Sequence, residues 1–364
     1  MKVLFLTNVP SPYRVSFFNE LGKWCDLTVL FEKTTSDERD VSWRKYQFVR
    51  FKGVVMDGKS IDTDSALCVS VVKYLKPGEY DHIIVSNFLS PTGMLAILWM
   101  RLKRMEYWLE SDGGFAKDGK GLKEQLKKCF ISGAKGYFST AKEHDRYYMQ
   151  YGAKKERLHR YPFTSLWQRD VCAAPVTVEE RCALKEKYGI SARWVLVAVG
   201  QFVPRKGFDL LLRAMAKLPK DNLVAVFVGG TPTQAYKKLI EEHRLKNVKF
   251  VEHVEKSAVL EYMRLADVFV HPTQEDIWGL VVNEAMAVGT PVITTDRCIA
   301  GLAMIKPEEN GYIIPVDDLP ALEAAIRKLL QKEDLSAMQW ANLKTAAHYT
   351  IEAMVQRHLE ILNE

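Results

Sequence analysis

Two successive trains of short apolar runs constrain this 364-residue chain more than any other feature. In the second half the runs fall at 194–200, 224–228, 248–251, 268–271, 291–294 and 312–315, each followed by a segment of helical pattern. In the first half they fall at 2–7, 27–31, 82–86, 106–110 and 136–139, with a helix expected over 12–23. Apolar runs this short, alternating with helices, read as buried strands of a parallel sheet covered on both faces. The fold class is therefore α/β, with two Rossmann-like, doubly wound domains. The pattern loosens between the trains, and the tail (319–331 and 337–362) is helical without strand signals. The expected division is 1–165 for the first domain, 166–190 for a linker and 191–346 for the second domain. Residues 347–364 are left as a C-terminal helix that crosses back to the first. In such sheets ligands lie at the carboxyl ends of the strands.

Composition limits the function classes. Hydrophobic content of 48% and charged content of 26% are those of a globular protein with a sizeable core. Six scattered cysteines form no C-x-x-C pair, so neither a disulfide framework nor a zinc site is expected, and a reducing, cytoplasmic setting fits. No apolar run reaches the ~18 residues of a membrane span, and residues 1–8 turn polar too early for a signal peptide. Residues 1–165 carry 27 Lys+Arg against 19 Asp+Glu, whereas 166–364 carry 24 against 26. The basic first half suits an anionic acceptor or peripheral contact with the inner face of a membrane, as does the basic stretch 117–135 with Leu122, Leu126 and Phe130 interleaved. No nucleic-acid-binding motif accompanies it, and no G-x-G-x-x-G follows either first strand.

Three segments can carry chemistry. His271-Pro-Thr-Gln-Glu-Asp276-Ile-Trp-Gly279 leads from a strand end into a short helix that holds Glu284 and is stopped by Gly289-Thr-Pro291. Asp276 and Glu284 are eight positions apart, so a shared site is easier to build with Asp276 in the loop beside the helix N-terminus, where free N–H groups attract anions. Capping by Asp276 and a solvated Glu284 are the plain alternative. Gly200-Gln201-Phe-Val-Pro-Arg205-Lys206-Gly207 brings two cations from a strand end to the mouth of a helix, a place suited to a diphosphate. Glu110-Ser111-Asp112-Gly113-Gly114 ends a strand of the first half, either as a turn or as a site. The eight histidines form no H-x-x-H or H-E-x-x-H arrangement, so no metal site is expected, and His271 reads as a packed histidine.

With Cys298-Ile-Ala-Gly301 and Glu309-Asn-Gly311, these segments resemble the retaining glycosyltransferases of family 4, which have the GT-B architecture of two Rossmann-like domains facing a central cleft. Glu284-Ala-Met-Ala-Val-Gly-Thr-Pro-Val-Ile293 carries the resemblance most closely. It implies that Glu284 binds the donor ribose, Asp276 the donor sugar, and Arg205 and Lys206 the diphosphate. Gly200, Gln201 and the backbone of Trp278, Gly279 and Leu280 would line the donor, with His253 in the nucleobase loop. Asp276 stands where the family has glutamate, and Glu275 is one residue out of register. On the acceptor side the resemblance points to Asp112 and Gly113, with Ser111 in place of a histidine, and to Arg14, which reads equally well as part of a helix start. Prolines follow the first strand where many members have glycines. The implied activity is transfer of a sugar from a UDP- or GDP-sugar to a glycan or lipid-linked acceptor in polysaccharide or glycolipid biosynthesis, with retention and no required cofactor or metal. A nucleotide-sugar epimerase of similar fold and a non-catalytic nucleotide-sugar or glycan-binding protein are the alternatives.

Overall fold

The computed structural model describes residues 1–34, 47–117, 119 and 121–364. Two compact units divide the chain: residues 1–165 with 350–364, and residues 166–349.

The first unit contains β1 (Lys2–Thr7), α1 (Pro12–Leu21), β2 (Asp26–Phe31), β3 (Lys52–Val55), β4 (Lys59–Ser60), β5 (Ala66–Leu67), β6 (His82–Val85) and α2 (Pro91–Leu102). It continues through β7 (Trp108–Glu110), α3 (Leu122–Ile131), β8 (Gly136–Ser139), α4 (Lys142–Gln150) and β9 (Leu158–Arg160). Seven strands form a parallel sheet in the order β3-β2-β1-β6-β7-β8-β9, while β4 and β5 pair as a small antiparallel ladder. Strand order reverses between β1 and β6, so the loops after them open the crevice at the carboxyl edge.

The second unit contains α5 (Val178–Lys187), β10 (Trp194–Val199), α6 (Phe208–Lys217), β11 (Leu223–Val228), α7 (Gln234–Glu242), β12 (Val248–Val251), α8 (Lys256–Leu265) and β13 (Val268–His271). It closes with α9 (Leu280–Ala287), β14 (Val292–Thr295), α10 (Ile299–Met304), β15 (Gly311–Ile314), α11 (Leu319–Leu330) and α12 (Ser336–Ala346). Its six strands are parallel, in the order β12-β11-β10-β13-β14-β15. Here the reversal falls between β10 and β13. Leu196, Ala198, Phe227, Val270 and Ile293 of the sheet pack with Phe208, Leu211 and Met215 of α6 and Leu322 and Ile326 of α11 in one buried core. The α/β expectation with two doubly wound sheets matches this architecture.

Three local expectations change. Helix 337–362 is two helices, α12 and α13 (Ile351–Asn363), because Thr350 starts α13 by accepting a hydrogen bond from Ala353 N at 3.2 Å. Helix α13 belongs to the first unit and packs on α1, with the His358 ring 4.8 Å from that of Phe17. The strand expected at 106–110 begins at Trp108. Of the basic stretch 117–135, the helix α3 covers Leu122–Ile131, and residues 118 and 120 lie outside the described residues.

Candidate active site

Two loops meet at the reversal point of the second sheet. The chain leaves β10 at Gly200, makes a single 3-10 turn over Pro204–Lys206, and enters α6 through Gly207. The loop after β13 runs from Pro272 to Gly279, the residue before α9. They are stitched by the Arg205 carbonyl, which accepts from Gln274 N at 2.8 Å and Thr273 Oγ1 at 2.9 Å. Gly207 has φ +65°, and a Cβ there would stand 1.9 Å from the Pro272 carbonyl oxygen, so only glycine permits this approach.

Asp276 is the centre of the arrangement. Its Oδ2 accepts from Lys206 Nζ at 2.7 Å and lies 3.2 Å from His271 Nε2, with Arg205 Nη1 at 3.8 Å. Lys206 and Asp276 are each 14% exposed, whereas the Arg205 side chain is 53% exposed and donates through Nη1 to the Glu275 carbonyl at 3.1 Å. Burial opposes the charge on Asp276, but the His271 hydrogen bond and Lys206 outweigh it and hold the carboxyl below its usual range. Asp276 thus stays ionised. Oδ1 carries no protein hydrogen bond among the described residues, so it remains open to a ligand hydroxyl. The backbone of Asp276 is fixed by a bridge to Cys298, through Asp276 N to Arg297 O at 2.8 Å and Ile299 N to Asp276 O at 3.2 Å. Glu275 turns to Arg297 instead, so Asp276 is the acid that faces Lys206.

Helix α9 begins after Gly279 (φ +103°) with no side-chain cap. A Cβ on Gly279 would stand 2.6 Å from Cys298 Sγ, which itself lies 3.2 Å from the Trp278 carbonyl. Trp278 is buried, and its Nε1 donates to Asn283 Oδ1 at 2.7 Å, so this residue plugs the helix against the unit while Leu280 stays half-buried at the uncapped end. Glu284, half-buried, follows one turn later on α9. The site therefore offers two cations, an uncapped helix end and two carboxylates at a sheet crevice, which suits a bound diphosphate with hydroxylated groups on either side.

Residues 181–345 match the profile of the glycosyl transferases group 1. This segment belongs to that family. Over 150 residues the chain is 35% identical to D-inositol 3-phosphate glycosyltransferase 2 of Catenulispora acidiphila, covering 37% of this chain and 35% of that protein. Over 163 residues it is 29% identical to the GDP-mannose-dependent alpha-(1-6)-phosphatidylinositol monomannoside mannosyltransferase of Mycolicibacterium smegmatis, covering 42% of each. The match thus spans about two fifths of these relatives' length. The structure of Anabaena HepE in complex with UDP superposes with a TM-score of 0.80 at 16% identity over 100% of both chains, a likeness of fold.

The group 1 segment contains every residue named above from Gly200 to Cys298. Gln201 is exposed after β10, close to the cations in sequence. His253 is exposed in the loop after β12, two strands, or about 10 Å, from β10.

In the first unit Asp112 follows β7, its side chain 28% exposed. Arg14 is buried and committed: Nη1 contacts Glu110 Oε1 at 2.5 Å and Nη2 contacts Asp112 Oδ1 at 2.6 Å. Tyr13 OH donates to Asp112 Oδ2 at 2.9 Å. Arg14 is therefore paired on both of its terminal nitrogens, one with Glu110 and one with Asp112. Burial opposes charge on both Glu110 and Arg14, but their mutual attraction keeps Glu110 ionised and Arg14 protonated. Ser111 Oγ lies 2.9 Å from Nε2 of the fully buried His144, and the Gly114 backbone passes against the Tyr147 ring. The sequence reading did not single out Glu110, Tyr13, Arg297 or His144. Their signal was adjacency to Asp112, Arg14 or Cys298 in the first three cases, and none in the last.

Proposed function

We propose that the chain is a glycosyltransferase that moves a sugar from a UDP- or GDP-sugar to a glycan or lipid-linked acceptor, with retention and without a required metal. The observation that carries this reading is the convergence of Arg205, Lys206 and Asp276 at the reversal point beside the uncapped end of α9. The diphosphate lies against the two cations and the α9 N–H groups, which stabilise the negative charge that develops as it leaves. Asp276 Oδ1 accepts from a sugar hydroxyl, and Glu284 accepts from the ribose. The anomeric carbon–oxygen bond to the phosphate breaks while the acceptor oxygen bonds on the same face, and the acceptor proton passes to the departing phosphate. The donor and lipid-linked acceptor classes draw support from the named relatives, one GDP-mannose-dependent and acting on a phosphatidylinositol mannoside, and from HepE solved with UDP.

A panel of nucleotide-sugars in a thermal-shift assay tests the donor. Free ligand at 100 times Kd stabilises by about 2.7 kcal/mol, so one UDP- or GDP-sugar should raise Tm by several degrees with EDTA present. Lys206→Ala should remove most of that rise. No shift with any such donor would overturn the reading.

The same proposal places the enzyme at the cytoplasmic face of a membrane, docked peripherally by its first unit. No helix among the described residues is long and apolar enough to cross a membrane. On α3, however, Leu122 and Leu126 are 85% and 49% exposed beside Lys123, Lys127 and Lys128. This pairing of apolar and basic groups suits an anionic bilayer surface. Sedimentation with vesicles containing anionic lipid, compared with neutral vesicles, should pellet the protein only in the first case, and Leu122→Ser with Leu126→Ser should abolish it.

A further inference from the structure

His271 is fully buried at the end of β13, and its Nε2 lies 3.2 Å from Asp276 Oδ2 while its Nδ1 is buried without a hydrogen-bond partner. Protons decide what this means. Asp276 is ionised and accepts only, so the Nδ1–H tautomer would set the Nε2 lone pair against a carboxylate. Burial holds His271 neutral, which leaves one ring proton, and that proton belongs on Nε2. The cost is an orphaned Nδ1 in a dry site. The ring lies 6.3 Å from that of Phe269 at 13°. The return is that Lys206 and His271 both donate to Oδ2, which fixes the carboxylate plane and turns Oδ1 outward. The Gly279 backbone closes over the pair: a Cβ there would stand 3.8 Å from both Asp276 Cγ and His271 Nε2.

We propose that His271 is a positioning residue for the donor sugar, acting through Asp276. The inference rests on the reading of Asp276 as the sugar contact. Lys206 alone does not do this work, because it is drawn to the diphosphate when donor binds. His271 then holds the carboxylate in place while the lysine shares its charge.

Two measurements separate this proposal from the donor reading. On the ligand-free protein at neutral pH, nitrogen-15 NMR should show His271 as the neutral Nε2–H tautomer; an Nδ1–H tautomer or an imidazolium overturns the proposal whatever the donor proves to be. Titration calorimetry then compares UDP with UDP-glucose and GDP with GDP-mannose. For the wild type the sugar should tighten binding over the bare nucleotide. His271→Phe, which keeps the ring but removes the Nε2–H donor to Asp276, should lower Tm, leave nucleotide affinity unchanged and weaken the nucleotide-sugar about tenfold. His271→Gln, whose amide nitrogen can replace Nε2, should restore most of it. A His271→Phe protein that binds the nucleotide-sugar as tightly as wild type refutes the positioning role. A wild type that binds neither nucleotide-sugar refutes the donor reading, with the tautomer still deciding the pairing of His271 with Asp276.

Discussion

Lys206 and Asp276 are 70 positions apart in sequence and 2.7 Å apart in space. The residue types at this site were legible beforehand: Arg205-Lys206 at a strand end, and an acid just before a helix that carries Glu284. Their partners were not, because pairing across β10 and β13 is set by sheet order, which no local spacing encodes. That is why Glu275 and Asp276 could not be separated until Arg297 was seen to take the former. The glycine at 207 gives a sharp stability test at this scale. Alanine there meets both the left-handed backbone, costing about 1–2 kcal/mol, and the Pro272 carbonyl at 1.9 Å. Gly207→Ala should lower stability in urea by at least that amount and also impair nucleotide binding, since it pushes the two site loops apart. Glu284→Ala, by contrast, removes a half-buried side chain without straining the backbone, so it should cost less stability than Gly207→Ala while removing nucleotide-dependent stabilisation.

At the scale of elements, the second sheet was readable to its edges, β12 and β15, whereas the edge strands of the first sheet were not. Strands β10, β11 and β13 are almost wholly buried, so both faces demand apolar residues and the sequence runs as Val, Leu, Ala and Phe. Strands β3 and β9, Lys-Gly-Val-Val and Leu-His-Arg, lie at the edges of their sheet, half exposed, and carry little such signal. The break between α12 and α13 was equally hidden, since no proline or glycine marks residues 347–350; it is made by the Thr350 cap. That break frees α13 to bring His358 between Phe17, Phe138 and Tyr161, 3.9 Å from Glu110. The Arg14–Glu110–Asp112 cluster under it joins α1, β7 and the loop that follows. Removing one member of a buried ion pair costs about 3–5 kcal/mol because the other is left uncompensated. Arg14→Ala should therefore show a loss of that size in urea unfolding, and its effect on donor binding in the second unit should be small.

For the whole molecule, buried titratable groups set how stability depends on pH. His144 and His358 are fully buried, and the loss of solvation draws them down to about 3 and about 4. Unfolded, each takes up a proton near 6.5, so between 6.5 and 4.5 the unfolded chain holds two more protons than the folded one at these positions. Stability tied to the neutral histidines is present above that window and lost as pH falls through it. Glu32 runs the other way. Buried with no cation paired to it among the described residues, and held by Ser90 Oγ at 2.6 Å, Asn87 Nδ2 at 3.2 Å and Ala66 N at 3.0 Å, it is pushed up to about 7, mainly by lost solvation. Over the same window the folded state holds its proton and the unfolded state does not, so Glu32 gains stability on acidification. Across these three groups one net proton remains on the unfolded side, worth about 1.4 kcal/mol per pH unit between 6.5 and 4.5, and His271, drawn down by burial as well, steepens the fall beyond that. Below 4.5 the Glu32 contribution is complete, while Glu110 and Asp276, both held below their usual range, begin to lose theirs, and the fall should steepen. Urea unfolding at a series of pH values measures the slope. Glu32→Gln removes the opposing group and should steepen the slope above pH 4.5 by about 1.4 kcal/mol per pH unit, whereas His144→Phe should flatten it; a slope that ignores both substitutions would show that other groups govern the acid limb.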